Sequence, residues 1–378
     1  MSLTIQTPTL ILNEAIVRRN IARMADKARR SGVRFRPHFK SHQSAAIGEW
    51  FREAGTAAIT VSSVRMATYF ADHGWDDITI AFPTNWLEID AINALAARTK
   101  LGLTVESTET AAFLAGHLTA PADIWLKTDT GYGRTGIVWD DFAYRAEVAA
   151  LIAAAPLMTL RGMLVHSGNS YRIRGDHDAI RAVYDETVAR LAAARDALEA
   201  AGFGRVELSI GDTPTCSVVD DLSAVDEIRT GGFVFYDIKQ VYVGSCTVDD
   251  VGIALACPVV ALHPERNTIV LLGGGAYLSK DFMPYADGTP CYGEIALRGA
   301  DNLRGADDWH TGLVPGCYVK IVSQEHAIVH ATPELLAQVK VGDVLLVLPS
   351  LGCMTANEMK AYTTLDGKLL PMMGYCGA

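Results

Sequence analysis

The chain has 378 residues, 49% hydrophobic and 20% charged, the make-up of a globular protein too long for one small domain. A net charge of −10 argues against nucleic acid or an anionic membrane surface as a partner. No apolar run reaches the roughly 20 residues of a bilayer-crossing helix, and the opening "MSLTIQTPTLILNEA" lacks the basic-then-apolar layout of a secretory leader.

A first strand, "LTIQTPTLIL", runs up to Asn13, a residue suited to cap the helix "EAIVRRNIARMADKARR". Short β-branched runs then alternate with amphipathic stretches. The runs are "VRFRPHF", "AAITVSS", "DITIAF", "LGLTV", "DIWLKTD", "LRGMLVHS", "RVELSIG" and "VDEIRTGG". Between them lie helix-like segments such as "SAAIGEWFREAG", "VRMATYFADHG", "NWLEIDAINALAART", "AEVAALIAAAPLM" and "DAIRAVYDETVARLAAARDALEAAG". Eight strands in βα alternation predict a closed α/β barrel of the (β/α)8 (TIM) type over residues 14–249. From about residue 250 the segments "ALACPVVALHP", "TIVLLGGGAYLS", "CYVKIVSQEHAIVHA" and "DVLLVLPS" are strand-like and joined by turns. They predict a second, all-β domain over 250–378, with 1–13 joining it. The glycines of "LLGGGAYLSKD" lack the spacing and the following helix of a nucleotide loop. The seven cysteines are odd in number and scattered with no CxxC pair, so free thiols in a reducing cytoplasm are expected.

Chemistry in such barrels sits at the C-terminal ends of the strands. "RFRPHFKSHQ" crowds two arginines, two histidines and Lys40 there; a lysine buried among them loses its charge and becomes a nucleophile. "DTGYGRTG" carries Arg134 after strand five, and "HSGNSY" carries His166 after strand six. "GDTPT" and "RTGGF", with Gly211, Thr213, Gly231 and Gly232, end strands seven and eight, where barrels bind phosphate through backbone N–H groups. Each alone is ordinary: a strand-end lysine is usually solvated, a lone histidine usually structural, and such turns common. Their convergence on one rim points to pyridoxal phosphate, whose aldehyde needs a lysine amine.

The segment "RPHFKSH" resembles the lysine motif of the D-threonine aldolase and D-serine dehydratase family. These are fold-type III pyridoxal-phosphate enzymes related to alanine racemase. "TPTLILNEAIVRRNIARM", "YFADHGWDDITIAFP", "DTGYGRTGI", "HSGNSY", "DTPT", "EIRTGGFVFYD" and "SQEHA" follow in the family's order, so the resemblance covers nearly the whole chain. It implies that Lys40 holds the cofactor covalently and acts as a base. Arg134 would face the phenolic oxygen and His166 the ring face. Tyr171 or Arg229 would approach the pyridine nitrogen, and amides around Thr213, Gly231 and Gly232 would hold the phosphate. Asp212 stands where the family has a small hydroxyl residue, so its carboxylate must point away or be paired.

One departure concerns metal. The family's metal-binding histidine and cysteine lie in a motif that reads "PSLGCMT" here, with Cys353 present but Leu351 in the histidine position. One thiolate is a poor metal site, and His326 and His330 fit a structural role in their strand, so no metal is expected. The implied activity is a lyase on a D-amino acid, β-hydroxylated, in a homodimer that takes a small-molecule substrate. The alternative is an amino-acid racemase with Cys353 as the second base. A non-catalytic pyridoxal-phosphate carrier is a third reading, against which the long C-terminal domain argues.

Overall fold

The computed structural model describes residues 4–297 and 312–376. They form two compact units: Arg23–Gly231, and Met1–Ala22 together with Gly232–Ala378. Strand β1 (Thr9–Leu12) leads into helix α1 (Glu14–Arg30), which Asn13 caps by accepting from Ile16 N at 3.2 Å.

The first unit is a parallel barrel. Its strands are β2 (Arg34–Phe35), β3 (Ile59–Val61), β4 (Asp77–Pro83), β5 (Lys100–Val105), β6 (Ala122–Asp129), β7 (Met158–Leu164), β8 (Glu207–Ile210) and β9 (Glu227–Ile228). They run in the order β2–β9–β8–β7–β6–β5–β4–β3. Closure comes just beyond β2: Thr60 N donates to Pro37 O at 2.9 Å, and a parallel bridge joins His38 to Thr60. Helices α2 (Ala45–Glu53), α3 (Val64–Asp72), α4 (Ile89–Ala96), α5 (Thr108–His117), α6 (Phe142–Ala154), α7 (His177–Ala200) and α8 (Thr213–Val218) alternate with the strands. The strand-to-helix turns supply their own caps. Ser63, Ser107, Asp141 and Asp176 accept from the N–H groups of Met66, Thr110, Tyr144 and Ala179. The eight runs read from the sequence are the eight barrel strands.

A polar column threads the barrel interior. Arg36 pairs with Asp77 and, at 2.7 Å, with Glu227. Glu227 also accepts from Ser209 Oγ at 2.8 Å, and Ser209 Oγ accepts from Arg229 Nε at 3.1 Å. Arg34 joins the lower end through Glu207 and Glu227.

In the second unit come α9 (Ile238–Val243), β10 (Ile253–His263), β11 (Thr268–Leu272), α10 (Gly275–Leu278), β12 (Gly293–Leu297), β13 (Leu313–Val322), β14 (His326–His330), α11 (Pro333–Gln338), β15 (Val344–Pro349), α12 (Gly352–Met359), β16 (Ala361–Thr364) and β17 (Leu369–Pro371). The sheet order is β11–β14–β13–β12–β15–β10–β1–β16–β17, and β11 also pairs with β10, which closes six of the strands on themselves. The amino-terminal β1 lies antiparallel to β10 and parallel to β16. Ile11, Ile16, Val251, Ala254, Leu346 and Leu348 share its core. The run "LLGGGAYLS" is half strand and half helical turn. Its glycines serve close packing, since a Cβ on Gly274 would lie 2.5 Å from Ser323 O. No described helix is long and apolar enough to cross a membrane.

Candidate active site

Lys40 is not the buried lysine that its neighbours suggested. It sits in a single 3-10 turn, Phe39–Ser41, with its side chain exposed while His38, Phe39, Ser41 and His42 are buried. The turn is anchored from below. Phe39 packs against His42, Phe51, Phe70 and Trp75 with ring centroids 4.4–5.0 Å apart. Gly231 presses on it from the turn after β9. A Cβ there would lie 2.6 Å from His38 O and 2.7 Å from Ser41 Oγ, so only glycine lets the two loops approach.

Arg134 is carried by a loop that Asp129 folds. The Asp129 carboxylate accepts from the N–H groups of Gly131, Tyr132 and Gly133 at 2.9–3.1 Å. The Arg134 guanidinium lies 5.5 Å from the Tyr132 ring centroid. His166 follows β7, with its ring 5.8 Å from Tyr171 and 5.9 Å from Tyr132. Burial pushes the His166 imidazole well down, and the charges of Arg134, Lys40, Lys127 and Arg229 push it further. His38 is likewise held neutral by burial, then by Lys40 and Arg229. The structure therefore brings Lys40, Arg134, His166 and Arg229 into one electrostatic neighbourhood at the strand ends.

Lys127 belongs there too, and sequence reasoning missed it. It is buried near the end of β6, where burial first, and then Arg229 and Arg134, push its amine down to about 7. The available signal was a lysine inside the apolar run "DIWLKTD", which was read only as strand.

Tyr171 Oη accepts from Thr213 N at 2.9 Å, and burial raises the phenol above its ordinary value, so it stays neutral. Asp212, the awkward carboxylate, is paired: it accepts from Ser170 Oγ at 2.8 Å and caps α8 through Thr215 N and Oγ1. Thr213 Oγ1 lies 3.0 Å from Thr230 Oγ1. Arg229 is buried, donates to Val165 O and Ser209, and is pushed down to about 10 by burial. The N–H groups of Gly231 and Gly232 meet no acceptor among the described residues, and Gly231 is buried.

These features fit pyridoxal phosphate: two adjacent amides without an acceptor, one of them buried, a close approach at Gly231 that a Cβ would block, several cations, and one exposed amine. The residues do not fit a metal in the same way. Leu351 caps the start of α12 and offers no ligand atom, while Cys353 lies in its first turn. Gly352 N donates to Asp237 Oδ2 at 3.1 Å. His326 is exposed on β14, and His330 packs its ring 5.4 Å from that of Tyr318. Among the described residues no three His, Cys, Asp or Glu side chains converge as a cation site.

A parallel barrel with a lysine after its first strand, followed in the chain by a closed antiparallel β domain, defines a fold-type III pyridoxal-phosphate enzyme. The chain belongs to the family described as alanine racemase, N-terminal domain, which matches residues 12–238; residues 252–365 match the putative serine dehydratase domain. The D-threo-3-hydroxyaspartate dehydratase of Delftia sp. (strain HT23) is 28% identical over 97% of this chain and 96% of its own. Its solved structure superposes with a TM-score of 0.88 at 26% identity, covering 99% of both chains. The D-serine dehydratase of Dictyostelium discoideum is 26% identical over 96% of this chain and 94% of its own. An alanine racemase of Clostridium difficile 630 shares the fold alone, with 13% identity and a TM-score of 0.66 over 97% of this chain and 98% of its own.

Proposed function

We propose that the protein is a pyridoxal-phosphate-dependent lyase acting on a D-amino acid that carries a β-hydroxyl group. The observation that carries this is the rim itself: one exposed lysine amine, a ring of cations, and the buried Gly231 amide without an acceptor. Full-length similarity to D-amino-acid dehydratases supports it. Lys40 would hold the cofactor covalently, and Arg134, His166, Tyr171 and Arg229 would surround its ring. The amides of Gly231 and Gly232 would take the phosphate beside Thr213, whose own N–H already serves Tyr171. When bound, the cofactor supplies an electron sink that lowers the barrier to breaking a bond at the substrate's Cα.

The chain's residues do the rest. Lys40 Nζ, on its exposed turn, would take or return the substrate's α-proton. Neutral His166 offers a flat face without adding charge to an already cationic rim. Asp212, tied up by Ser170 and Thr215, keeps its carboxylate from opposing a phosphate. No step is assigned to a metal, because Leu351 leaves Cys353 without the second ligand of its motif. The seven free cysteines support a reducing, cytoplasmic setting. A homodimer is part of the same reading, with no role for nucleic acid or a membrane.

The test is to load the protein with cofactor and offer a panel of D- and L-amino acids, following keto acid, aldehyde and enantiomer together. Keto acid or aldehyde from D-β-hydroxy amino acids alone is expected. Lys40→Ala should cut the rate by about a thousandfold or more. Borohydride should also fail to fix the cofactor to that variant. Enantiomer as the sole product would mean a racemase instead, and full turnover by Lys40→Ala would overturn the assignment.

A further inference from the structure

The turn that carries Lys40 is capped by an imidazole. His38 stands at its N-cap position and accepts through Nδ1 from Lys40 N at 3.4 Å. Other turns of this barrel are capped by oxygen: Ser63, Ser107, Asp141, Asp176 and Asp212 accept from first-turn amides of the helices that follow them. Serine, aspartate and asparagine are the ordinary choices for that task, and histidine is not.

His38 is also the node at which the barrel closes. Its N–H donates to Thr230 O at 2.9 Å, past the end of β9, and its parallel bridge to Thr60 ties it to β3. Its carbonyl lies against Gly231, where a Cβ would come within 2.6 Å of it. The residue is buried in this seam, so one side chain links the Lys40 turn to both flanking strands. An accepting Nδ1 carries no proton, so the ring is the neutral tautomer with its hydrogen on Nε2. Burial first, and then Lys40, Arg229 and His166, keep it so; the Thr60 backbone favours a proton there, the smallest of these effects.

The kind of cap matters because of the residue it holds. An amine attacks an aldehyde only after losing its proton, and a carboxylate within a few ångströms would hold that proton in place. Aspartate, the cap at positions 141, 176 and 212, would fix the turn but keep its lysine protonated. Serine would add no charge but would leave the volume of an imidazole empty in a buried seam. A neutral imidazole meets both demands.

We propose that His38 is a positioning residue for this reaction: a charge-free cap that sets the turn bearing Lys40 against the barrel seam without placing an anion beside its amine. This rests on the reading of Lys40 as the residue that takes the cofactor, and goes beyond it by assigning how that residue is held.

The experiment uses the full chain as wild type, His38→Asn, His38→Asp and His38→Leu, each checked for the native fold by circular dichroism. Asparagine restores a neutral cap, aspartate a charged one, and leucine none. The first readout needs neither cofactor nor turnover. Cofactor-free protein is trace-labelled with acetic anhydride from about pH 7 to about pH 11, and the Lys40 peptide is quantified by mass spectrometry. The pH of half-labelling should rise by about one unit in His38→Asp and stay close to that of the wild type in His38→Asn. The second readout is the rate at which added pyridoxal phosphate develops the visible band of the lysine-linked cofactor. It should fall about tenfold in His38→Asp and in His38→Leu, and His38→Asn should recover most of it. If Lys40 titrates alike in His38→Asp and His38→Asn, or if folded His38→Leu takes up cofactor at the wild-type rate, the proposal falls while the lyase reading stands. Should His38→Leu not fold, the asparagine and aspartate pair decides the question. If Lys40 responds as expected but no D-amino acid is turned over, the lyase reading falls and the role of His38 stands.

Discussion

Leucine at position 351 removes a ligand atom from the turn before α12 and leaves Cys353 as the one thiolate of that motif. Zinc sites in proteins use three or four side-chain ligands, and one thiolate does not hold a metal against a chelator. Turnover by the cofactor-loaded enzyme should therefore stay within about twofold after prolonged treatment with EDTA. Leu351→His should create a response to added zinc or manganese. Elemental analysis that finds a stoichiometric metal bound through Cys353 in the unmutated protein would sink this idea. The two lysines of the rim make a related point about single residues. Lys40 was legible because imidazoles and arginines crowd it in the sequence. Its exposure was not, because a 3-10 turn of three residues has no periodicity to announce it. Lys127 was invisible for the opposite reason: it occupies an apolar strand, and only its neighbours from β9 and from the loop after β6 give it meaning.

At the scale of elements, the barrel strands are pinned by the polar column that runs from Asp77 through Arg36, Glu227 and Ser209 to Arg229. Arg36 and Glu227 have side chains 3% and 1% exposed, so removing Glu227 leaves the buried Arg36 guanidinium with Asp77 as its remaining carboxylate. Glu227→Ala should cost about 3–5 kcal/mol in urea denaturation, and Arg36→Met combined with Glu227→Met should recover much of that loss. A double variant as weak as the single one would show that the column does more than neutralise itself. Helix α8 is held at both ends in a similar way, by Asp212 at its start and by Lys27, whose amine donates to the carbonyls of Cys216 and Ser217 in its last turn and of Val219 at its C-cap. Long elements were legible: α1 spans the segment read as helix, because its apolar stripe and its Asn13 cap are local. The strands β12, β16 and β17 were not read at all. They have three to five residues each and owe their form to partners far along the chain.

For the whole molecule, the buried imidazoles set an acid limit. His42, enclosed by Phe39, Phe51 and Phe70, is pushed by burial down to about 3, and His38 well below its ordinary 6.5 by burial and then by Lys40. The unfolded chain takes up these protons near 6.5 while the folded chain does not. Stability is therefore complete above that pH and declines as pH falls toward 3, by up to about 1.4 kcal/mol per pH unit for each imidazole. Urea titrations at several pH values between 7.5 and 5 should show this slope, and His42→Leu should reduce it by about one proton. An unchanged slope in that variant would mean that His42 is protonated in the folded state. The sequence by itself determined the order of the elements, the eight-strand barrel followed by strands, and the lysine segment. All of these are written in local spacing or in one residue's chemistry. Only the tertiary structure decided that Asp212 is paired, that the histidines are neutral, that Lys127 joins the cations, and that Arg134 and Arg172 share Tyr132. Those properties are sums of field and burial over residues brought together from five strand ends. No stretch of sequence contains such a sum until the barrel closes.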